Sequence, residues 1–323
     1  MNSFHWLEKF SNYLTYAVFS LEPETHLADS VEFFFNDIFK IFLLLLLVTH
    51  LMGFIRYYFP MEKVRKFLVT YKFYGLDYFL ATIFGAITPF CSCSSIPLFI
   101  GFIQARIPLG VTLAFLITSP LINEVAIALF LSIFGLKVTL AYLFSGILVG
   151  MIGGFILGKM KLEKYLDDYF QEIKARSEKQ KTSKKISCSV FREISQEAFS
   201  VIKKIGVYVL IGVALGAFVH GFVPQGFFEE ILEKAGWLGV PLAVILAVPL
   251  YSNASGVIPI IQALIVKGVP IGTALAFMMA IVGISLPEAL ILKRIFKWQL
   301  LASFFGVVTI GIIIIGYLFN IFL

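Results

Sequence analysis

The chain has 323 residues, of which 59% are hydrophobic and only 14% charged, with a formal net charge of +6. Soluble domains carry roughly 45–50% apolar and about 25% charged residues, so this balance excludes an ordinary globular protein. The positive excess lies in loops beside apolar runs, as the positive-inside rule requires, and therefore calls for no nucleic acid.

The first 21 residues lack a basic start, and Glu8 and Lys9 interrupt any apolar run, so they do not read as a cleavable signal peptide. Phe4, Trp6, Leu7, Phe10, Tyr13, Leu14 and Tyr16 recur at near-helical spacing. This predicts an interfacial segment over 1–32, lying on the lipid bilayer. Uninterrupted apolar runs follow at Ile38–Ile55, Val138–Leu157, Ile205–Val223 and Leu300–Leu323. A helix of about 20 apolar residues spans the ~30 Å hydrocarbon core, so the expectation is an all-α, polytopic helical membrane protein.

Charge orients these spans. Glu8, Glu22, Glu24, Asp29 and Glu32 precede the first one, whereas Arg56, Lys63, Arg65, Lys66 and Lys72 follow it. The first span, 33–55, is thus expected to run from outside to cytoplasm. Residues 159–204 hold twelve Lys/Arg against seven Asp/Glu and read as a basic cytoplasmic linker, a segment a cytoplasmic partner could dock on. Three cysteines, with Cys188 alone in that linker, give no disulfide framework.

The linker separates two copies of one pattern. Pro89-Phe-Cys-Ser-Cys-Ser-Ser95 aligns with Pro249-Leu-Tyr-Ser-Asn-Ala-Ser255, and the nine residues from Pro108 align with the nine from Pro270, identical at five positions. The second copy starts after Lys203 and Lys204, and its Gln225–Gly236 segment is acidic where Arg56–Tyr74 is basic. Opposite charge on equivalent segments predicts inverted repeats over 33–158 and 205–323, each with three spans and one broken hairpin. That architecture puts a transporter's binding site at the repeat interface near the midplane, with broken or re-entrant helices around it.

The aligned blocks are where the apolar runs turn polar. Pro89, Pro97, Pro120, Pro249, Pro259 and Pro287 are the expected helix breaks, since proline removes a backbone donor. Irregular backbone at membrane depth must be buried or line a wet cavity. The candidate substrate-binding residues are therefore Cys91, Ser92, Cys93, Ser94, Ser95 and Asn123 in the first copy, and Tyr251, Ser252, Asn253 and Ser255 in the second. On a regular helix Cys91 and Cys93 would point about 200° apart; in an unwound loop from Pro89 to Pro97 they converge. Converging thiolates suit a soft, thiophilic centre; two small buried packing residues are the other reading of the pair. Glu124 and Glu288, each near a proline in an apolar stretch, are candidate coupling carboxylates, because a charge at membrane depth is costly unless paired or protonated. Pairing of Glu288 with Lys293 or Arg294 is the structural alternative. Gly146, Gly150, Gly154 and Gly158, and likewise Gly212 and Gly216, read as helix-packing stripes. No resident metal site or cofactor is expected, and no nucleophile–base arrangement points to an enzyme.

The stretch from Thr88 to Glu124, TPFCSCSSIPLFIGFIQARIPLGVTLAFLITSPLINE, resembles the arsenical-permease (ArsP-type) family of bacterial permeases, and residues 249–288 resemble its second half. The resemblance implies a multi-pass protein of the bacterial cytoplasmic membrane that exports a small solute, a trivalent organoarsenical in some members. It also implies that Cys91 and Cys93 form the thiol pair and gives Cys188 no role. The remaining readings are a membrane subunit of a multi-component complex, a pore for another small solute, and assembly as a homo-oligomer. The inverted arrangement makes one expectation testable at once. Reporter fusions should place both termini outside and 159–204 inside, and a cytoplasmic C-terminus would contradict the inversion.

Overall fold

The computed structural model describes residues 5–22, 25–58, 75–88, 92–104, 107–122, 124–166, 235–250, 254–293 and 295–322, together with 231, 232 and scattered positions from 195 to 218. Regular elements among them are helical, and the one extended pairing is the bridge between Leu166 and Phe296. The chain is thus an all-α membrane protein, with Gly135–Lys159, Ile271–Leu292 and Trp298–Phe322 long and apolar enough to cross a bilayer.

Helix α1, His5–Asn12, continues as a π-turn over Tyr13–Val18 and folds back on α2, His26–Tyr58. Thr25 caps α2 by accepting the Ala28 N–H at 3.2 Å. The helix that carries residues 33–55 therefore starts seven residues before position 33. Ser11 donates to the Glu32 carbonyl at 2.9 Å, Tyr16 donates to Glu32 Oε2 at 2.8 Å, and Phe10 meets Phe39 edge-on at 5.2 Å. The hydrogen bond to Glu32, more than burial, raises the Tyr16 phenol above its ordinary pKa. Phe10, Tyr13, Val18 and Phe19 stay exposed on the outer side of this hairpin.

Two helical series follow in the same order, and three of their five pairs match in length. The first is α3 Leu76–Ile87, α4 Ser92–Gln104, α5 Leu109–Leu121, α6 Glu124–Ile133 and α7 Gly135–Lys159. The second is α8 Gly239–Ala247, α9 Ala254–Val266, α10 Ile271–Gly283, α11 Leu286–Leu292 and α12 Trp298–Phe322. Helices α4, α5, α9 and α10 have 13 residues each, and α7 and α12 have 25. The likeness extends to single bonds. Ile107 N donates to Phe102 O as Val269 N donates to Leu264 O, closing α4 and α9 with the same wide turn. Pro108 (φ −53°, ψ 136°) and Pro270 (φ −55°, ψ 139°) then start α5 and α10 in the same conformation.

Small residues hold each series together. A Cβ on Gly154 would stand 2.5 Å from Ala114 Cβ and 2.7 Å from Gly110 O, so α5 and α7 touch backbone to backbone. A Cβ on Gly272 would stand 2.1 Å from Gly316 O, the same contact between α10 and α12. The stripe from Gly146 to Gly158 therefore packs helices, as its spacing indicates; Gly212 and Gly216 lie outside the described residues. One difference stands at the end of these seams. Asn320 Oδ1 accepts the N–H groups of Gly272 and Thr273 at 2.8 and 3.2 Å, capping α10 from α12, while in the first series that place is Gly158.

Equivalent helices of the two series run antiparallel where they meet. Gly153 faces Val307 and Val149 faces Gly311, so α7 and α12 cross in opposite directions. Along α2, His50 Nε2 lies 3.2 Å from Ser195 Oγ and Phe42 lies against Gly206, again in opposite sense. Just past α7, Tyr165 O accepts the Lys297 N–H at 2.8 Å, bringing the start of the linker beside the start of α12.

The seam generates a prediction. Gly154→Leu should destabilise the protein by about 1–3 kcal/mol or block its folding, because the atoms in the way are backbone and Cβ atoms that cannot rotate aside. Gly306→Leu, with nothing within 4 Å of the added Cβ, should be tolerated. Thermal scans of both variants in detergent check this; equal melting of Gly154→Leu and the parent would contradict it.

Candidate functional site

Among the described residues the helical backbone gives way at Thr88 after α3, at Ile122 after α5, over 248–250 after α8, and at Ile284 and Ser285 between α10 and α11. Helices of 12 or 13 residues reach only about 18–20 Å at 1.5 Å per residue, so α3, α4, α5, α9 and α10 are each too short to cross a ~30 Å core alone, and α10 becomes long enough only together with α11.

The structure gathers these ends. A Cβ on Gly283 would lie 2.8 Å from Leu121 Cδ2, so the last residues of α10 and α5 touch. Leu286 N donates to Val248 O at 2.8 Å, joining the second series' two interruptions. Near the end of α3, Gly85 lies against Ser119 N, its Cβ position 3.2 Å away. Reciprocal contacts complete the arrangement, α4 packing on α11 and α6 on α9.

The interruptions are satisfied locally. Pro120 sits inside α5, which runs on to Leu121 before Ile122 turns extended (φ −121°, ψ 116°). The break thus falls just after the proline rather than at Ser119–Pro120. Proline clashes with the carbonyl one turn back and weakens the turn it occupies, and the helix ends once that turn closes. The fully buried Tyr142 hydroxyl of α7 donates to the Leu121 carbonyl at the end of α5. Ser95 of α4 and Ser119 of α5, both fully buried, share a 2.6 Å hydrogen bond. In apolar surroundings such a bond contributes on the order of 0.6–1.5 kcal/mol and fixes which faces meet. Thr118 donates to the Ala114 carbonyl at 2.9 Å.

Several expectations need correcting here. The loop from Pro89 to Pro97 is not unwound throughout, because α4 begins at Ser92 and carries Ser92, Cys93, Ser94 and Ser95 in its opening turns. A first turn has no intrahelical partners for its N–H groups, so small polar residues suit it. Ser255 likewise lies in the first turn of α9. Pro97 and Pro259 are not breaks; each is the sixth residue of its helix, where the missing N–H removes one bond without ending the helix. Pro287 is the second residue of α11 and Pro249 follows the end of α8. The helix starts also put Ser92 opposite Ala254, so Cys93 corresponds to Ser255 and Ser95 to Val257, and the two-residue insertion falls before the helix. Glu124 heads α6 but Glu288 is third in α11, so the two acids are two positions out of register. Glu288 is 2% exposed. Pro89, Cys91, Asn123, Cys188, Tyr251, Ser252 and Asn253 lie outside the described residues.

Sequence reasoning passed over Ser119, Tyr142 and Ser285 as site residues. Ser119 was hidden by the proline beside it, and Tyr142 sits in an apolar run with no local signal. Ser285 starts the Ser-Leu-Pro-Glu pattern, which draws attention to its carboxylate instead. Ser285 is 1% exposed, and its Oγ has no hydrogen-bond partner among the described residues. Hydroxyls and a carboxyl gathered at helix ends can hydrogen-bond a small solute in a dry environment.

No solved structure matches the chain. A Streptococcus mutans protein named "Putative two-component membrane permease complex subunit" is 24% identical over 305 residues, 92% of this chain and 97% of that protein. A UPF0718 protein of Methanocaldococcus jannaschii is 24% identical over 128 residues, 40% of this chain and 35% of its own length. A UPF0718 protein of Bacillus subtilis is 30% identical over 91 residues, 28% and 31% respectively. Residues 26–321 match the family described as predicted permease (ArsP type), and with nearly the whole chain covered, the protein belongs to that family of permeases.

Proposed function

We propose that this permease is a secondary transporter of the bacterial cytoplasmic membrane that exports a small thiophilic solute, of which trivalent organoarsenicals are the leading candidates. The observation that carries this reading is the meeting of α5 and α10 at their broken ends, with the Cys-bearing helix α4 tied to α5 through Ser95 and Ser119. Cys91 and Cys93 supply thiolates for a soft centre, Cys93 from the first turn of α4. Ser92, Ser94, Asn123, Tyr251, Ser252, Asn253 and Ser255 furnish the surrounding polar wall. Glu124 and Glu288 exchange protons as the site alternates between the two sides.

The halves act as inverted repeats that rock against each other. The antiparallel crossing of α7 with α12, and of α2 with the helical positions after Ser195, supports this arrangement. It leaves both termini outside and the 159–204 linker inside. The N-terminal hairpin rests its exposed Phe10, Tyr13 and Phe19 in the bilayer interface.

A second reading is favoured by one finding: the Streptococcus relative that aligns over 97% of its length is named as a subunit of a two-component complex. In that reading a partner docks on the basic linker, and the permease acts only with it. One experiment tests both. Expressed alone in an arsenic-sensitive bacterial host, the protein should confer resistance to methylarsenite. Cys91→Ser with Cys93→Ser should abolish that resistance at unchanged membrane expression, and Cys188→Ser should not. Full resistance in the double variant would sink the thiol site, whereas resistance that appears only with a co-expressed partner would favour the second reading.

A further inference from the structure

The contact between Leu121 and Gly283 has a geometric consequence. Both are the last residue of a 13-residue helix, preceded by equivalent prolines at Pro108 and Pro270, so they are the same position in the two series. Equivalent positions of two copies touch each other only near the axis that relates the copies. The ends of α5 and α10 therefore mark that axis, and whatever follows them in the chain is close to it.

Two residues beyond Gly283 comes Ser285. Its backbone (φ −68°, ψ 150°) is that of a helix cap, yet its side chain makes no capping bond to α11. A serine before a helix ordinarily turns its hydroxyl onto the N–H groups of the second or third residue. Here the second residue is Pro287, which has no N–H to offer. The third, Glu288, receives no capping bond from the serine, and the first, Leu286, directs its N–H to Val248 O. The hydroxyl is 1% exposed and has no hydrogen-bond partner among the described residues. A buried hydroxyl in that condition loses its bonds to water and gains none in return, a cost that alanine would not carry. Glu288, one turn on and on the same face of α11, is likewise buried, so an anion would meet a carboxyl group here.

We infer that Ser285 is a solute-binding residue at the axis, where its hydroxyl hydrogen-bonds the oxygen of a small uncharged hydroxylated solute such as an As–OH group. This assignment rests on the transport reading above and adds to the thiols a second, hard contact: thiolate sulfur holds the soft centre and the serine holds a hydroxyl on it. The two contacts come from opposite halves, so a solute engages both only while the halves are together.

The test has one arm that needs no arsenical. In full-length protein with Cys91, Cys93 and Cys188 replaced by serine, Ser285→Cys should form a mixed disulfide with 2-aminoethyl methanethiosulfonate in membrane vesicles, releasing methanesulfinate, because a solute-binding position must open to water during the cycle. Ala280→Cys, equally buried on α10, should label at least tenfold more slowly. Equal rates at the two positions would overturn the inference. In the second arm, Ser285→Ala in the native background should raise the KM for methylarsenite uptake into inverted vesicles about tenfold, with maximal rate within twofold and Ser285→Thr restoring most of the loss. An unchanged KM would overturn it too. Absence of methylarsenite uptake by the parent would refute the arsenical reading, and the labelling arm would still decide the role of Ser285.

Discussion

A chain buried in hydrocarbon has no water with which to satisfy its backbone N–H and C=O groups, so each place where a helix stops must be answered by another part of the protein. This constraint orders the rest of the molecule. The interruptions are not spread over the surface but brought together, α10 ending on α5 and the break after α8 hydrogen-bonded to the start of α11. Tyr142 is buried in full because the Leu121 carbonyl needs a donor, and Asn320 sits near the end of an apolar helix because the first N–H groups of α10 need an acceptor. The glycine seams follow from the same demand. With no hydrophobic drive between helices in lipid, association depends on close packing, which Gly110, Gly154, Gly272 and Gly316 permit.

Within that duplicated frame the chemistry is one-sided. The Ser95–Ser119 pair of the first series is replaced by Val257 and Ile281 in the second, both buried and apolar. The second series offers Ser285 and Glu288 instead, and Ala126 stands where Glu288 would repeat. Two similar scaffolds have thus diverged at their meeting point into unlike walls.

The fold was legible in the sequence because its signals are long. Twenty-residue apolar runs gave α7 and α12, and matched prolines and glycines at Pro108 and Pro270 gave the duplicated hairpins. Shorter signals misled in a consistent way. Pro97 and Pro259 suggested breaks and lie within helices, because one lost hydrogen bond does not end a helix that tertiary packing holds. The acids looked matched because both follow a serine and a proline, yet helix starts, which depend on tertiary caps, set the true register two residues apart. Tyr142 could not have been read from its neighbours; its role depends on a carbonyl 21 residues away.

The central claim is that the two halves meet at equivalent broken ends, and the contact between Leu121 and Gly283 states it most sharply. In a protein freed of its native cysteines, Leu121→Cys and Gly283→Cys should form an intramolecular disulfide when membranes are oxidised with copper phenanthroline, detected as a mobility shift reversed by reductant. Cysteines placed one helical turn back on each helix, at Ile117 and Met279, serve as the comparison and should cross-link poorly. Efficient cross-linking at 121 and 283 alone is the predicted result. No cross-link there, with normal expression and with reagent access shown by thiol labelling of each single variant, would contradict the arrangement on which the site is built.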